Sequence, residues 1–97
     1  MDTVKVLILG AGDRGNAYSE YSLSRSDEMR VVGIAEPREY YRNKFSKKFS
    51  LKKEHVFNAW EGALKMEKFA DAVIIATPDK MHYHPAIEAL KKGYHVL

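Results

Sequence analysis

The sequence predicts an α/β domain: a doubly wound, all-parallel sheet in three αβα layers, truncated after the fifth strand. Three observations carry this. Short apolar runs alternate with helical, amphipathic segments along the whole chain. One run, Ala72-Val73-Ile74-Ile75-Ala76, is apolar with no alternation, as a strand covered by helices on both faces requires. The first run passes directly into a glycine-rich turn and then a helix, with no linker between them.

The elements follow in order. Strand one covers Val4 to Leu9, and helix one runs from Asp13 to about Leu23, with Ala17, Tyr18 and Tyr21 as its inward stripe. Ser26-Asp27-Glu28 makes a polar turn into strand two, Arg30 to Ala35. Pro37 breaks that strand, and helix two continues through Phe49. It sets Tyr41, Phe45 and Phe49 against the sheet and Lys44, Lys47 and Lys48 in water. A short strand at His55 to Phe57 precedes a helix carrying Trp60, Ala63 and Leu64. After strand four at Ala72 to Ala76, a helix from His82 to Lys92 sets Ala86, Ile87 and Leu90 on one face. Pro85 lies in its first turn, where a missing amide costs nothing. Gly93 ends that helix in a left-handed conformation, and His95-Val96-Leu97 begins strand five. A strand order of 3-2-1-4-5 leaves strand five at an edge, where Val96 and Leu97 invite self-association.

Composition bounds the class. Ninety-seven residues allow one domain, 1–97, and 45% hydrophobic residues suffice for a core. There is no cysteine, which excludes disulfides and thiol catalysis and fits a reducing, cytoplasmic setting. The N-terminal apolar run is too short for a signal peptide or a membrane span. The net charge of +3 is modest, and the lysines of helix two read as a solvated face with no nucleic-acid partner.

The turn after strand one reads Gly10-Ala11-Gly12-Asp13-Arg14-Gly15, a G-x-G-x-x-G flanked by a strand and a helix. Gly10 permits the tight turn, Gly12 leaves room for a pyrophosphate, and Gly15 lets the helix pack closely on the sheet. The helix N-terminus then presents unpaired amides and a partial positive charge to phosphates. Glu36 stands at the end of strand two, 21 positions after Gly15, where an acid accepts hydrogen bonds from an adenosine ribose. The pattern predicts dinucleotide binding. Glu36 repels a 2′-phosphate and favours NAD. Arg38 leaves NADP open, either swinging towards such a phosphate or, as the preferred reading, standing solvated at the start of helix two.

The loop after strand four, Ala76-Thr77-Pro78-Asp79-Lys80-Met81-His82, leaves the carboxyl end of a central strand, where ligands bind in open sheets. Taken with GAGDRG, Ala35-Glu36-Pro37-Arg38, and Ala86-x-x-Ala89-Leu90-x-x-Gly93-x-His95-Val96-Leu97, it resembles the glucose-fructose oxidoreductase/inositol dehydrogenase/rhizopine-catabolism family. The resemblance spans essentially the whole chain and corresponds to that family's N-terminal, NAD(P)-binding, Rossmann-like domain. It implies an oxidoreductase transferring a hydride between a nicotinamide and a sugar, polyol or related alcohol or carbonyl. It also implies cofactor contacts from Gly10, Ala11, Gly12, Asp13, Arg14, Gly15, Asn16, Glu36, Arg38, Thr77, Pro78 and His82.

In that family, strand five runs into a Glu-Lys-Pro motif whose lysine serves the hydride-transfer site. The sequence ends before that motif. The resemblance therefore implies a truncated domain without its substrate-binding partner domain, inactive alone, with no catalytic residue assigned within 1–97. The alternative class is a non-catalytic dinucleotide sensor or interaction module. His82 and His84 form an H-x-H, but two ligands do not close a metal shell, so no metal is expected. No nucleophile elbow supports a hydrolase.

Overall fold

The computed structural model describes residues 3–11, 13–25, 27–77 and 83–97, without the side chains of 13–16, 18 and 19. The chain runs β1 (Val4–Leu9), α1 (Asp13–Ser24), β2 (Met29–Ala35), α2 (Glu39–Phe49), a 3₁₀ turn (Lys53–His55), β3 (Val56–Phe57), α3 (Trp60–Lys65), β4 (Ala72–Ile75), α4 (Tyr83–Lys91) and β5 (His95–Val96). All strands are parallel, in the order β3-β2-β1-β4-β5. This is the expected Rossmann-like α/β sheet. His55, expected in β3, belongs instead to the 3₁₀ turn.

Alternation along the strands divides the core in two. Leu7, Leu9, Val73 and Ile75 face one layer, packed with Ala63 and Leu64 of α3 and Ala89 of α4. Val6, Ile8, Ile34 and Ile74 face the other, against Phe45 and Phe49 of α2. Lys48 of α2 bonds Glu20 of α1. Val6 through Leu9 are wholly buried, so truncating any one of Leu7, Ile8 or Leu9 to Ala costs about 2–5 kcal/mol.

Three helix faces differ from expectation. In α1, Ala17 and Tyr21 are exposed, and among the described side chains Ser22 is the buried one, its hydroxyl donating to the Met29 carbonyl at 3.1 Å. The phenol of Tyr21 is drawn outward by Glu28, to which it donates at 2.7 Å. In α4, Pro85 and Ala89 are buried while Leu90 is 58% exposed. A small side chain at the contact brings the helix close to the sheet, and Leu90 is left outside it. Tyr18, also expected inward, lies outside the described side chains. In α2, Phe45 is buried and Phe49 half-buried, but Tyr41 stays exposed.

Gly93 adopts φ +90° after α4, as expected, and β5 then pairs with β4 through Ala72↔His95 and Val73↔Val96. The register between β1 and β2 slips at Val32, where Val6 faces Val31 and Leu7 faces Gly33. The aromatic edge of Phe69 covers Gly33, where a Cβ would lie 2.8 Å from Cε2 of that ring. No helix among the described residues is long and apolar enough to cross a membrane.

Candidate functional site

β1 lies between β2 and β4, so the chain segments leaving these three strands meet at one edge of the sheet. Gly10 turns out of β1 at φ +104°, a conformation that disfavours side chains. A Cβ at Gly10 would also stand 2.7 Å from the Ala76 carbonyl oxygen and 3.2 Å from the Thr77 nitrogen. The Gly10 amide donates to the Ala35 carbonyl at 2.7 Å, and the Ala76 amide donates to the Leu9 carbonyl at 2.8 Å. Gly10, Glu36 and Thr77 are thereby gathered from three separate parts of the sequence.

Glu36 is the polar centre of this edge and is only 3% exposed. Its Oε1 accepts the Ala11 amide at 2.8 Å and Arg38 Nη2 at 3.1 Å. Its Oε2 accepts the Arg38 amide at 2.9 Å and Arg38 Nε at 3.0 Å. A carboxylate offers about four lone-pair sites, and all are engaged. Burial pushes the Glu36 carboxyl upward. The Arg38 side chain, followed by the Arg38 and Ala11 amides, outweighs that and holds the group below the usual carboxylate range.

Arg38 is therefore not simply solvated. Its guanidinium closes on Glu36 and lies 4.1 Å from the centre of the Tyr41 ring, while about half its side-chain surface remains open to water. Arg42 reaches back from α2 to the carbonyls of Glu36 at 3.0 Å and Pro37 at 3.3 Å. Pro37 lets the chain turn sharply here, so that Arg38, at the N-cap position of α2, faces the residue two before it. Tyr41 and Arg42 belong to this corner; the sequence offered Tyr41 only as a sheet-facing residue and did not single out Arg42. The available signal was the spacing of Arg38, Tyr41 and Arg42, one helical turn apart on a common face.

The first turn of α1 contains Asp13, Arg14, Gly15 and Asn16, whose side chains lie outside the described set. Its orphan amides and partial positive charge sit just beyond the Gly10 turn. Thr77 is half-buried beside that turn. Gly12, Pro78 and His82 lie outside the described residues. The described residues suit a dinucleotide: a turn in which Gly10 leaves no room for a side chain, a helix start for phosphates, and an acid with two arginines where a ribose would lie.

A family profile described as "Oxidoreductase family, NAD-binding Rossmann fold" matches residues 4–97. No curated protein matches significantly. Among solved structures, the WlbA dehydrogenase from Bordetella pertussis in complex with NADH and UDP-GlcNAcA is 21% identical, with a TM-score of 0.84, over 97% of this chain and 27% of its own. The apo scyllo-inositol dehydrogenase from Lactobacillus casei is 21% identical, with a TM-score of 0.86, over 98% of this chain and 27% of its own. An NAD-binding protein from Listeria innocua is 33% identical, with a TM-score of 0.78, over 97% of this chain and 26% of its own. The chain thus spans about a quarter of the length of these relatives. With the profile covering nearly every residue, the chain belongs to the oxidoreductase family whose NAD-binding domain has the Rossmann fold.

Proposed function

We propose that residues 1–97 form the cofactor platform of an oxidoreductase that moves a hydride between a nicotinamide and an alcohol or carbonyl of a sugar-like or polyol substrate. The observation that carries this is the convergence of the Gly10 turn, the buried Glu36 and Thr77 at the carboxyl edge of the sheet. The nucleotide-sugar and inositol dehydrogenases among its structural neighbours support the substrate class.

The pyrophosphate turn is assigned to Gly10, Gly12 and Gly15, with Ala11, Asp13, Arg14 and Asn16 as its companions. Glu36 and Arg38 are assigned to the adenosine ribose, and Thr77, Pro78 and His82 to the nicotinamide side. When bound, NAD supplies the hydride-carrying ring, and this domain holds and orients it. Because every Glu36 lone pair is already engaged, a ribose hydroxyl gains the carboxylate only when the Arg38 guanidinium turns aside. About half of the Arg38 side chain is open to water, so that turn requires its two side-chain bonds to Glu36 and its contact with Tyr41 to break. The same motion carries a cation to a 2′-phosphate, so the corner accepts NAD and keeps NADP open. Substrate contacts and proton handling are assigned to no residue of 1–97.

Calorimetric titration of the chain with NADH tests the reading directly. Saturable binding that Glu36→Ala weakens is expected, and no detectable binding by the wild-type chain overturns it. For the oxidoreductase itself, the coding sequence after Leu97 decides. Glu-Lys-Pro followed by a further α/β domain supports the enzyme, and a stop codon supports a binding module instead.

A further inference from the structure

A second candidate site lies at the opposite end of the strands. β3 pairs with β2 only through Ile34↔Val56 and Ala35↔Phe57, so the earlier part of β2 has no strand outside it among the described residues. The chain before β3 forms the 3₁₀ segment, and both His55 of that segment and Val32, where the β1–β2 register slips, line one space. Between them is a half-enclosed cavity of about 230 Å³.

Its lining has a definite chemistry. Lys5, Arg30, Lys52 and His55 contribute to it, and no acidic residue does. Lys5, Arg30 and Lys52 are exposed, and no ion pair among the described residues engages them; the Asp71 carboxylate beside Lys5 accepts the Lys5 amide at 2.8 Å and is not among the lining residues. Half-buried Phe49 and Phe69 supply apolar surface. His55 stacks on Phe69 with ring centres 4.1 Å apart and planes 13° from parallel, which fixes a flat aromatic wall. Uncompensated cations around an apolar, partly closed space attract an anionic head attached to an apolar body.

We propose that this cavity binds a small organic anion, a phosphate or carboxylate carried on a planar or aliphatic body. The cations of the rim hold the head, and Phe49 and Phe69 take the body. The cavity stands about 16 Å from the Gly10 turn, the span of five residues of β1. It is therefore separate from the dinucleotide edge and is suited to an effector rather than to the cofactor.

Phenyl phosphate, benzoate, inorganic phosphate and neutral benzyl alcohol are suitable probes, titrated into the chain by calorimetry and two-dimensional NMR. Phenyl phosphate or benzoate is expected to bind saturably, shifting the Phe69 and His55 resonances. Inorganic phosphate should be on the order of tenfold weaker or more, and benzyl alcohol should not bind. A preference for phenyl phosphate assigns a phosphate head, and a preference for benzoate assigns a carboxylate. The double variant Arg30→Glu/Lys52→Glu, at two exposed positions, should lose the binding while its NADH titration is unchanged. Binding that survives this charge reversal, equal binding of the neutral probe, or no binding by either aromatic anion overturns the proposal. In those cases the cations serve only to keep the lower edge of β2 hydrated. Failure of NADH binding alone bears on the cofactor reading and not on this cavity.

Discussion

The Ala11 amide donates to the Glu36 carboxylate at 2.8 Å, tying the turn after β1 to the end of β2 across 25 residues of sequence. Arg38 closes the far side of the same carboxylate, so one buried acid holds both the glycine turn and the start of α2. The residue that the sequence offered as a ribose acceptor thus first serves to hold these two segments together.

Removing that acceptor should cost stability as well as affinity. Glu36→Ala leaves the Ala11 amide buried without its partner, at about 1–3 kcal/mol. Urea unfolding of the two proteins measures this, and equal midpoints with equal slopes would contradict the role assigned to Glu36. NADH affinity should fall more than NADPH affinity, because the lost carboxylate is the group that favours a free 2′-hydroxyl.

The depressed pKa of Glu36 gives stability a pH dependence of known sign. The folded state favours the ionised carboxylate, so its contribution is fully present above the ordinary glutamate pKa of about 4.3. It is lost as pH falls through the lower, folded value. Thermal melts from pH 6 downward should therefore show wild type losing stability over this acidic window more steeply than Glu36→Gln. Parallel curves would rule the linkage out.

Arg38→Ala should separate the two cofactors. With the guanidinium gone, Glu36 is open to a ribose hydroxyl but no cation remains beside it for a phosphate. NADH affinity should hold or rise, and NADPH affinity should fall on the order of tenfold. A uniform loss of both in competitive titration would mean that Arg38 only braces Glu36.

Gly10→Ala and Gly93→Ala compare a clash with simple backbone strain. Both glycines have positive φ, but a Cβ at Gly93 meets nothing within 4 Å, whereas at Gly10 it collides with the Ala76 carbonyl. Gly93→Ala should cost roughly 1–2 kcal/mol. Gly10→Ala should cost more, because the strands leaving β1 and β4 must separate as well. Denaturant midpoints in the reverse order would mean that the crossing of these segments is looser than described.

The edge at β5 gives a last expectation. Leu97 is 65% exposed, and β5 has only β4 beside it among the described residues. The chain should self-associate at high concentration. A monodisperse monomer in light scattering over a wide concentration range would refute this.

Much of the fold was legible because burial imposes its period directly on the sequence. Val6–Leu9 and Ala72–Ile75 read as strands since both faces of each are covered, and Gly93 announced the end of α4. The faces of α1 and α4 were less legible. Periodicity ranks residues by hydrophobicity, while Tyr21 follows its bond to Glu28 and Ala89 is buried because it is small. Val32 carried no mark of the register slip, which sets β2 against β1 and is a relation between two strands rather than a local pattern.

The sequence by itself determined the order of elements, the parallel sheet and the positions of the glycine turn and its distant acid, since each is written in local spacing and apolar content. Only the tertiary structure decided what Glu36 does before any cofactor arrives. Its four donors come from Ala11, 25 residues earlier, and from Arg38, folded back around Pro37. Which hydrogen bonds saturate a buried carboxylate is set by geometry in space, and no one-dimensional pattern records it.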